Sequence, residues 1–198
     1  MKIVYLIGGI CDGKSTVASM FEELGAHYID LDKLAKNVMG YDCVKTSLDD
    51  LDEGDFVEDG EIVGDNLAEY VFSSRENLHR IDRALFPLIK AELDNKIKGI
   101  EDDGKPVLIE YSGYYGEPRK DDVFLKDADY VVWVTSKLTD KLERAKKRKI
   151  RPVDLTWVMR VQPFNEEYEA VADYVIKNDC SLRKLEGRCE KVWDSCCQ

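Results

Sequence analysis

The stretch Gly8-Gly9-Ile10-Cys11-Asp12-Gly13-Lys14-Ser15-Thr16 carries the clearest chemistry in this 198-residue chain. It matches the G-x-x-x-x-G-K-[ST] pattern and directly follows the apolar run Ile3-Val4-Tyr5-Leu6-Ile7. Glycines at those positions let the backbone wrap an anion. Its N–H groups, and the positive end of the helix that follows, then face phosphate oxygens. Lys14 is expected to reach the β- and γ-phosphates of a nucleotide, and the Ser15 hydroxyl to hold Mg²⁺. The nucleotide-contacting set read from the pattern is Gly8, Gly9, Cys11, Asp12, Gly13, Lys14, Ser15 and Thr16. Asp12 is out of keeping with an anion cradle. From the sequence, its carboxylate is expected to point to solvent and to weaken ATP binding by screened repulsion, so Asp12→Ser should tighten binding modestly.

Two further clusters offer chemistry. "HYIDLDKLA" puts Asp30 and Asp32 at the end of the second predicted strand, where open α/β sheets gather ligands. Asp32 there either orients Mg²⁺ and accepts a proton from an attacking hydroxyl, or caps a helix starting at Lys33. "RAKKRKIR", residues 144 to 151, has six basic residues in eight. Arg144 and Arg148 are four apart and so share a helix face, where they could close together over phosphates; the run is otherwise a solvated helix face or a weak RNA patch. Glu110, ending "VLIE", reads either as an acid assisting Mg²⁺ or as an exposed strand terminus.

The elements that must position these residues follow from periodicity. Apolar runs at 2–8, 27–30, 106–110, 129–134 and 172–176 read as strands; the third and fourth are continuous rather than alternating, as in parallel strands buried on both faces. Helices are predicted at 14–24, 65–72, 76–99, 138–149 and 154–162. This alternation predicts an α/β fold, a doubly wound parallel five-stranded sheet in one domain spanning 1–198. Residues 33–99 form an inserted helical acceptor-binding region, and 138–162 a helical lid. Acidic stretches at 49–61 and 101–104 read as solvated loops.

Composition bounds the partners. With 29 basic and 40 acidic residues the net charge is −11, which disfavours nucleic acid and anionic membranes alike. The six cysteines form no CxxC pair, and with no signal-like N-terminus the expected setting is cytoplasmic with reduced thiols. Cys196-Cys197 reads as an exposed tail.

The run "IGGICDGKSTVASMFEELGAHYIDLDKLA" resembles the N-terminal segment of the dephospho-CoA kinases, with a glycine-rich loop, a helix, Leu-Gly, and a strand ending Ile-Asp-x-Asp. The resemblance continues through "DGEIVGDNLAEYVF" (59–72), "LFPLIKAEL" (85–93), "VQ" (161–162) and "ADYVIKND" (172–179). It implies a P-loop kinase fold and transfer of the ATP γ-phosphate to the ribose 3′-hydroxyl of dephospho-CoA, with ATP and Mg²⁺ bound. It also implies that Asp32 is the base and a metal contact alongside Ser15, and that Lys14, Arg144 and Arg148 stabilise the transferring phosphate. Departures from the family pattern are Cys11 in place of glycine, Phe86 in place of histidine, Ser112-Gly113-Tyr114-Tyr115 after the third strand, and carboxylates in "QPFNEEYEA" (162–170) in place of an arginine. They fall mainly on the acceptor and lid sides. A nucleoside or deoxynucleoside monophosphate kinase, or a nucleotide-binding protein without transferase activity, are the alternatives.

Overall fold

The computed structural model describes residues 1–51 and 55–196. Five parallel strands make the central sheet: β1 (Ile3–Ile7), β2 (His27–Asp30), β5 (Val107–Glu110), β6 (Tyr130–Thr135) and β7 (Tyr174–Lys177), in the order β2-β5-β1-β6-β7. Successive residues of β1 explain the continuous apolar runs. Tyr5 and Ile7 pack on one face with Ile109, Val131 and Trp133, whereas Val4 and Leu6 pack on the other with Leu108, Val132 and Val134. Both faces of β1 are dry, so each of its positions is apolar.

Helices cover both faces. On one lie α1 (Lys14–Glu23) and α9 (Leu182–Cys196), which bury Val17, Phe21, Leu185 and Cys189. On the other lie α2 (Leu31–Val38), α3 (Asp42–Asp49), α5 (Arg75–Lys98) and α8 (Asn165–Val171). α5 directs Leu78, Ile81, Leu85, Ile89 and Leu93 inward at helical spacing and runs through Pro87 without ending. α4 (Gly64–Ser73) and the pair α6 (Leu138–Lys147) and α7 (Pro152–Val161) flank the carboxyl ends of the strands, and Pro152 starts α7 at a position where its missing N–H costs nothing.

Two sequence expectations are corrected. The acidic stretch at 49–61 is not all loop: Val57–Glu58 (β3) and Glu61–Ile62 (β4) pair as an antiparallel hairpin around Asp59-Gly60, both with positive φ. An Asp-Gly pair with that geometry makes the tight turn that matches strand twist. Residues 52–54 of the stretch lie outside the described residues. Cys196 is not an exposed tail residue but is buried in the second core at the end of α9; Cys197 lies outside the described residues. Among the described residues no helix is long and apolar enough to cross a membrane.

The strand order creates the site. The chain leaves β1, passes through α1 to edge strand β2, returns through the long helical excursion to place β5 between them, and then continues on the opposite side of β1. The connections after β1 and β5 therefore diverge across a crevice at the carboxyl ends, the position where doubly wound sheets bind ligands.

Candidate active site

A cleft of about 370 Å³ opens at that crevice. Gly9, Cys11, Gly13, Lys14 and Ser15 line it from the loop after β1, Asp32 from α2, Glu110 and Ser112 from the end of β5, and Arg148 and Gln162 from the segment holding α6 and α7. The local chemistry of the loop explains its shape. Gly8 and Gly13 have φ of 151° and 92°, and a Cβ at either would strike Val134 O at 2.4 Å or Asn178 Nδ2 at 2.1 Å. Both positions require glycine. Cys11 adopts φ 61°, a conformation where glycine is at ease and a side chain is strained. Its thiol is buried with Ala145 of α6 and Leu155 of α7, in a small apolar cluster that offsets that strain.

Lys14 is 8% exposed, and its Nζ donates to Gly8 O at 2.8 Å and Gly9 O at 3.3 Å. Burial lowers its pKa, while the nearby carboxylates of Glu110, Asp32 and Asp12 act to keep it charged. Glu110 is 7% exposed, which resolves the two readings of this residue in favour of an inward-facing acid. It accepts from Ser15 Oγ at 3.1 Å and from Tyr28 Oη at 2.7 Å.

The paired aspartates divide their work. Asp30 is the helix cap: Oδ1 accepts from Lys33 N at 2.9 Å, so α2 begins at Leu31. Asp32 is thereby left in the first turn of α2, at the mouth of the cleft and open to solvent on its outer side. Enclosure on its inner side raises its pKa, against the opposing pull of a hydrogen bond from Ser112 and the charge of Lys14. A carboxylate with a raised pKa is a stronger proton acceptor than an ordinary one.

Asp12 does not point to solvent. It is 1% exposed and takes four hydrogen bonds: Oδ2 from Gly9 N at 2.8 Å and Lys141 Nζ at 2.9 Å, and Oδ1 from Ser136 N at 2.8 Å and Ser136 Oγ at 2.9 Å. Its charge is consumed in tying the loop to Ser136 and to Lys141 of α6. Asn178 Nδ2 donates to Asp12 O at 2.9 Å and completes the anchoring from the end of β7.

The two arginines of the basic run occupy different places. Arg144 donates to Cys11 O at 3.0 Å, Asp12 O at 3.1 Å and Asn178 O at 2.8 Å, bracing the loop from behind. Arg148, one turn on, is exposed and lines the cleft itself. Of the residues named from sequence, Gly9, Cys11, Gly13, Lys14, Ser15, Asp32 and Arg148 meet in the cleft; Asp12 and Arg144 support it from outside. Gly8 is packed against β6, and Thr16 lies in the first turn of α1, its N–H bonded to Gly13 O.

The carboxylates in 162–170 also find a structural use. Glu167 accepts from Arg75 Nη1 at 3.0 Å and Nη2 at 3.2 Å and from Phe164 N at 2.6 Å, so it caps α8 and neutralises an arginine of α5. Sequence reasoning missed Asn178, Ser112, Tyr115 and Gln162, whose Oε1 accepts from Ile10 N at 3.1 Å. Ser112 and Tyr115 follow the carboxyl end of a central strand, a position that marks them as site candidates.

Comparison with known proteins agrees with this geometry. Among solved structures, one from Thermus thermophilus superposes with a TM-score of 0.74 at 24% identity, covering 98% of this chain and 97% of that one. A dephospho-CoA kinase from Campylobacter jejuni gives 0.55 at 19% identity over 99% and 97%. A shikimate kinase from Acinetobacter baumannii gives 0.54 at 16% identity over 98% and 92%, so the fold is that of P-loop kinases. In sequence, the chain is 29% identical to a dephospho-CoA kinase of Aquifex aeolicus, over 98% of this chain and 97% of the relative. It is 30% identical to one of Shigella flexneri, over 89% and 84%. The profile of the family described as Dephospho-CoA kinase matches residues 2–184, and this chain, a kinase, belongs to that family.

Proposed function

We propose that the chain transfers the γ-phosphoryl group of ATP to the 3′-hydroxyl of the ribose in dephospho-CoA. The observation that carries this reading is one cleft lined by a phosphate loop with Lys14, a carboxylate (Asp32) raised toward neutrality, and an exposed arginine (Arg148). In this reaction the 3′-oxygen attacks the γ-phosphorus and gives its proton to Asp32, while the bond from that phosphorus to the β-bridging oxygen breaks and ADP leaves. The loop N–H groups and Lys14 hold the β- and γ-phosphates, and Arg148 offsets the charge spread over the transferring group. Arg144 keeps the loop in its wrapped form.

Ser15, Asp32 and Glu110 supply hard oxygen donors on one side of the cleft, which suits Mg²⁺. Among the described residues no group of three His, Cys, Asp or Glu could cage a metal alone, in keeping with an ion held partly by phosphates and water. When bound, Mg²⁺ supplies charge neutralisation at the phosphate oxygens. The lid at 138–162, the acceptor region at 33–99 and a cytoplasmic setting complete the reading.

The test is turnover by purified protein with ATP and Mg²⁺, offered dephospho-CoA in parallel with a panel of nucleoside monophosphates. Phosphorylation of dephospho-CoA alone is expected. Turnover of monophosphates only, or ATP binding with no transfer to any acceptor, refutes the proposal.

A further inference from the structure

Beside the cleft lies a second, smaller cavity of about 150 Å³, lined by Asp82, Phe86, Tyr111, Gly113 and Tyr115 with His79 at its edge. Gly113 and Tyr115 line both spaces, so the two adjoin. Burial holds the Tyr115 hydroxyl well above its ordinary pKa, and the charges of Asp82 and Asp32 add to that rise. Residue 113, on the wall they share, is glycine. A Cβ there would come within 3.0 Å of Tyr111 Cε2 and 3.7 Å of Phe86 Cζ.

The walls are aromatic. Phe86 packs edge-on against Tyr111 at 6.4 Å and Phe124 at 5.0 Å between ring centres, which fixes its ring at the cavity wall. His79, Arg83, Glu117 and Asp122 also reach the lining, and among these polar groups Asp82 stands out. Its Oδ2 is buried and, among the described residues, meets no hydrogen-bond donor. A buried carboxyl oxygen without a partner costs stability, so its retention points to a donor that arrives with a ligand. The space is well below the roughly 300 Å³ at which pockets for whole drug-sized ligands begin, and so admits a single ring system.

We infer that this cavity receives the adenine ring of the acceptor, stacked among Phe86, Tyr111 and Tyr115, with the carboxyl group of Asp82 accepting a hydrogen bond from the 6-amino group. The inference rests on the dephospho-CoA reading. It fits the dimensions of that acceptor, in which only the ribose separates the base from the reacting 3′-hydroxyl, so a base in the small cavity leaves the hydroxyl in the cleft by Asp32. Phe72 and Val158 of the cleft also line a wider neighbouring groove of about 470 Å³ beside Trp157 and Arg151, with room for the acceptor's long flexible arm. Burial, with the charges of Asp122 and Glu117, pushes Asp82 up to about 8. Near neutral pH it therefore keeps a proton and also has a donor for the ring nitrogen beside the amine. The histidine-to-phenylalanine departure at 86 becomes part of a base-stacking wall.

The experiment compares dephospho-CoA with its analogue carrying unsubstituted purine, which lacks only the 6-amino group, on the wild-type chain and on Asp82→Leu and Phe86→Ala. With wild type, kcat/KM for the analogue is expected to be about tenfold lower, the loss of one buried hydrogen bond. Asp82→Leu should lower kcat/KM for dephospho-CoA by about tenfold and bring the two acceptors within about twofold of each other. Phe86→Ala should raise KM for both acceptors by about tenfold through lost stacking. KM for ATP should stay unchanged in both variants. Asp82→Leu retaining the tenfold gap, or both variants handling dephospho-CoA as wild type does, overturns the inference while leaving the kinase reading intact. A wild-type chain that phosphorylates no dephospho-CoA removes the kinase reading and the inference with it.

Discussion

Asp12→Ser separates two accounts of the phosphate loop. If Asp12 were a solvent-facing charge near the phosphates, removing it would relieve repulsion and tighten ATP. The structure instead makes it an internal tie, accepting from two backbone N–H groups, one hydroxyl and the Lys141 ammonium, all within 2.9 Å. A serine hydroxyl can replace at most one of those contacts. Hydrogen bonds to a charged acceptor contribute roughly 1.5–3 kcal/mol each, but they are not additive within one network. Removing one partner of a buried ion pair costs about 3–5 kcal/mol. The Lys141 side chain keeps 17% exposure against 2% for Asp12, so water recovers part of its loss. We therefore expect a cost near the lower end, about 3 kcal/mol, or a Tm lower by roughly 6–12 °C in a chain of this size. The freed Gly9 N–H and the slackened loop should also weaken ATP by about tenfold, the cost of ordering a cradle that was previously preformed. Thermal unfolding and calorimetric titration of ATP with Mg²⁺ give both numbers. A Tm within about 2 °C of wild type, together with equal or tighter ATP binding, would falsify the argument.

Asp32→Asn should lower kcat by about 10²–10⁴-fold with the ATP dissociation constant unchanged, measured by steady-state turnover and titration; wild-type-like turnover removes Asp32 as base. Arg148→Ala should cost turnover while leaving Tm within about 1 °C, because the side chain is exposed and faces the cleft. Arg144→Ala should lower both Tm and ATP affinity, because the carbonyls of Cys11, Asp12 and Asn178 lose the guanidinium that ties them together; the same phenotype in both variants contradicts the division of labour. Asp82 gives a pH signature. Its native value of about 8 lies above the ordinary value near 4, so the folded chain binds the extra proton and stability falls as pH rises between the two. Asp82→Asn removes that slope, so its Tm should exceed that of wild type by more at about pH 9 than at about pH 5, and a pH-independent difference contradicts the raised value.

What the sequence determined is what short-range chemistry specifies. A strand, a Gly-x4-Gly-Lys-Ser loop and an amphipathic helix are contiguous, so β1, the cradle and α1 were legible from residues 3 to 23. The parallel sheet was legible because strands buried on both faces have no polar alternation to hide them. The hairpin at 57–62 was within reach through its Asp-Gly pair but was masked by the surrounding acidic residues. The roles of individual charges were not legible, because their partners come from far along the chain. Asp12 is held by Ser136 and Lys141, 124 and 129 residues away, and Asn178 reaches it across 166. No local pattern says whether a carboxylate in a loop faces water or a buried ammonium. The same holds for Glu167, whose partner Arg75 is 92 residues distant. It also holds for Asp82, whose isolation arises only when α5 is laid beside the segment after β5. Helix phase made Arg144 and Arg148 look alike, and tertiary packing separated them: a guanidinium goes where carbonyls are left without donors, and only the first of the two had the loop behind it.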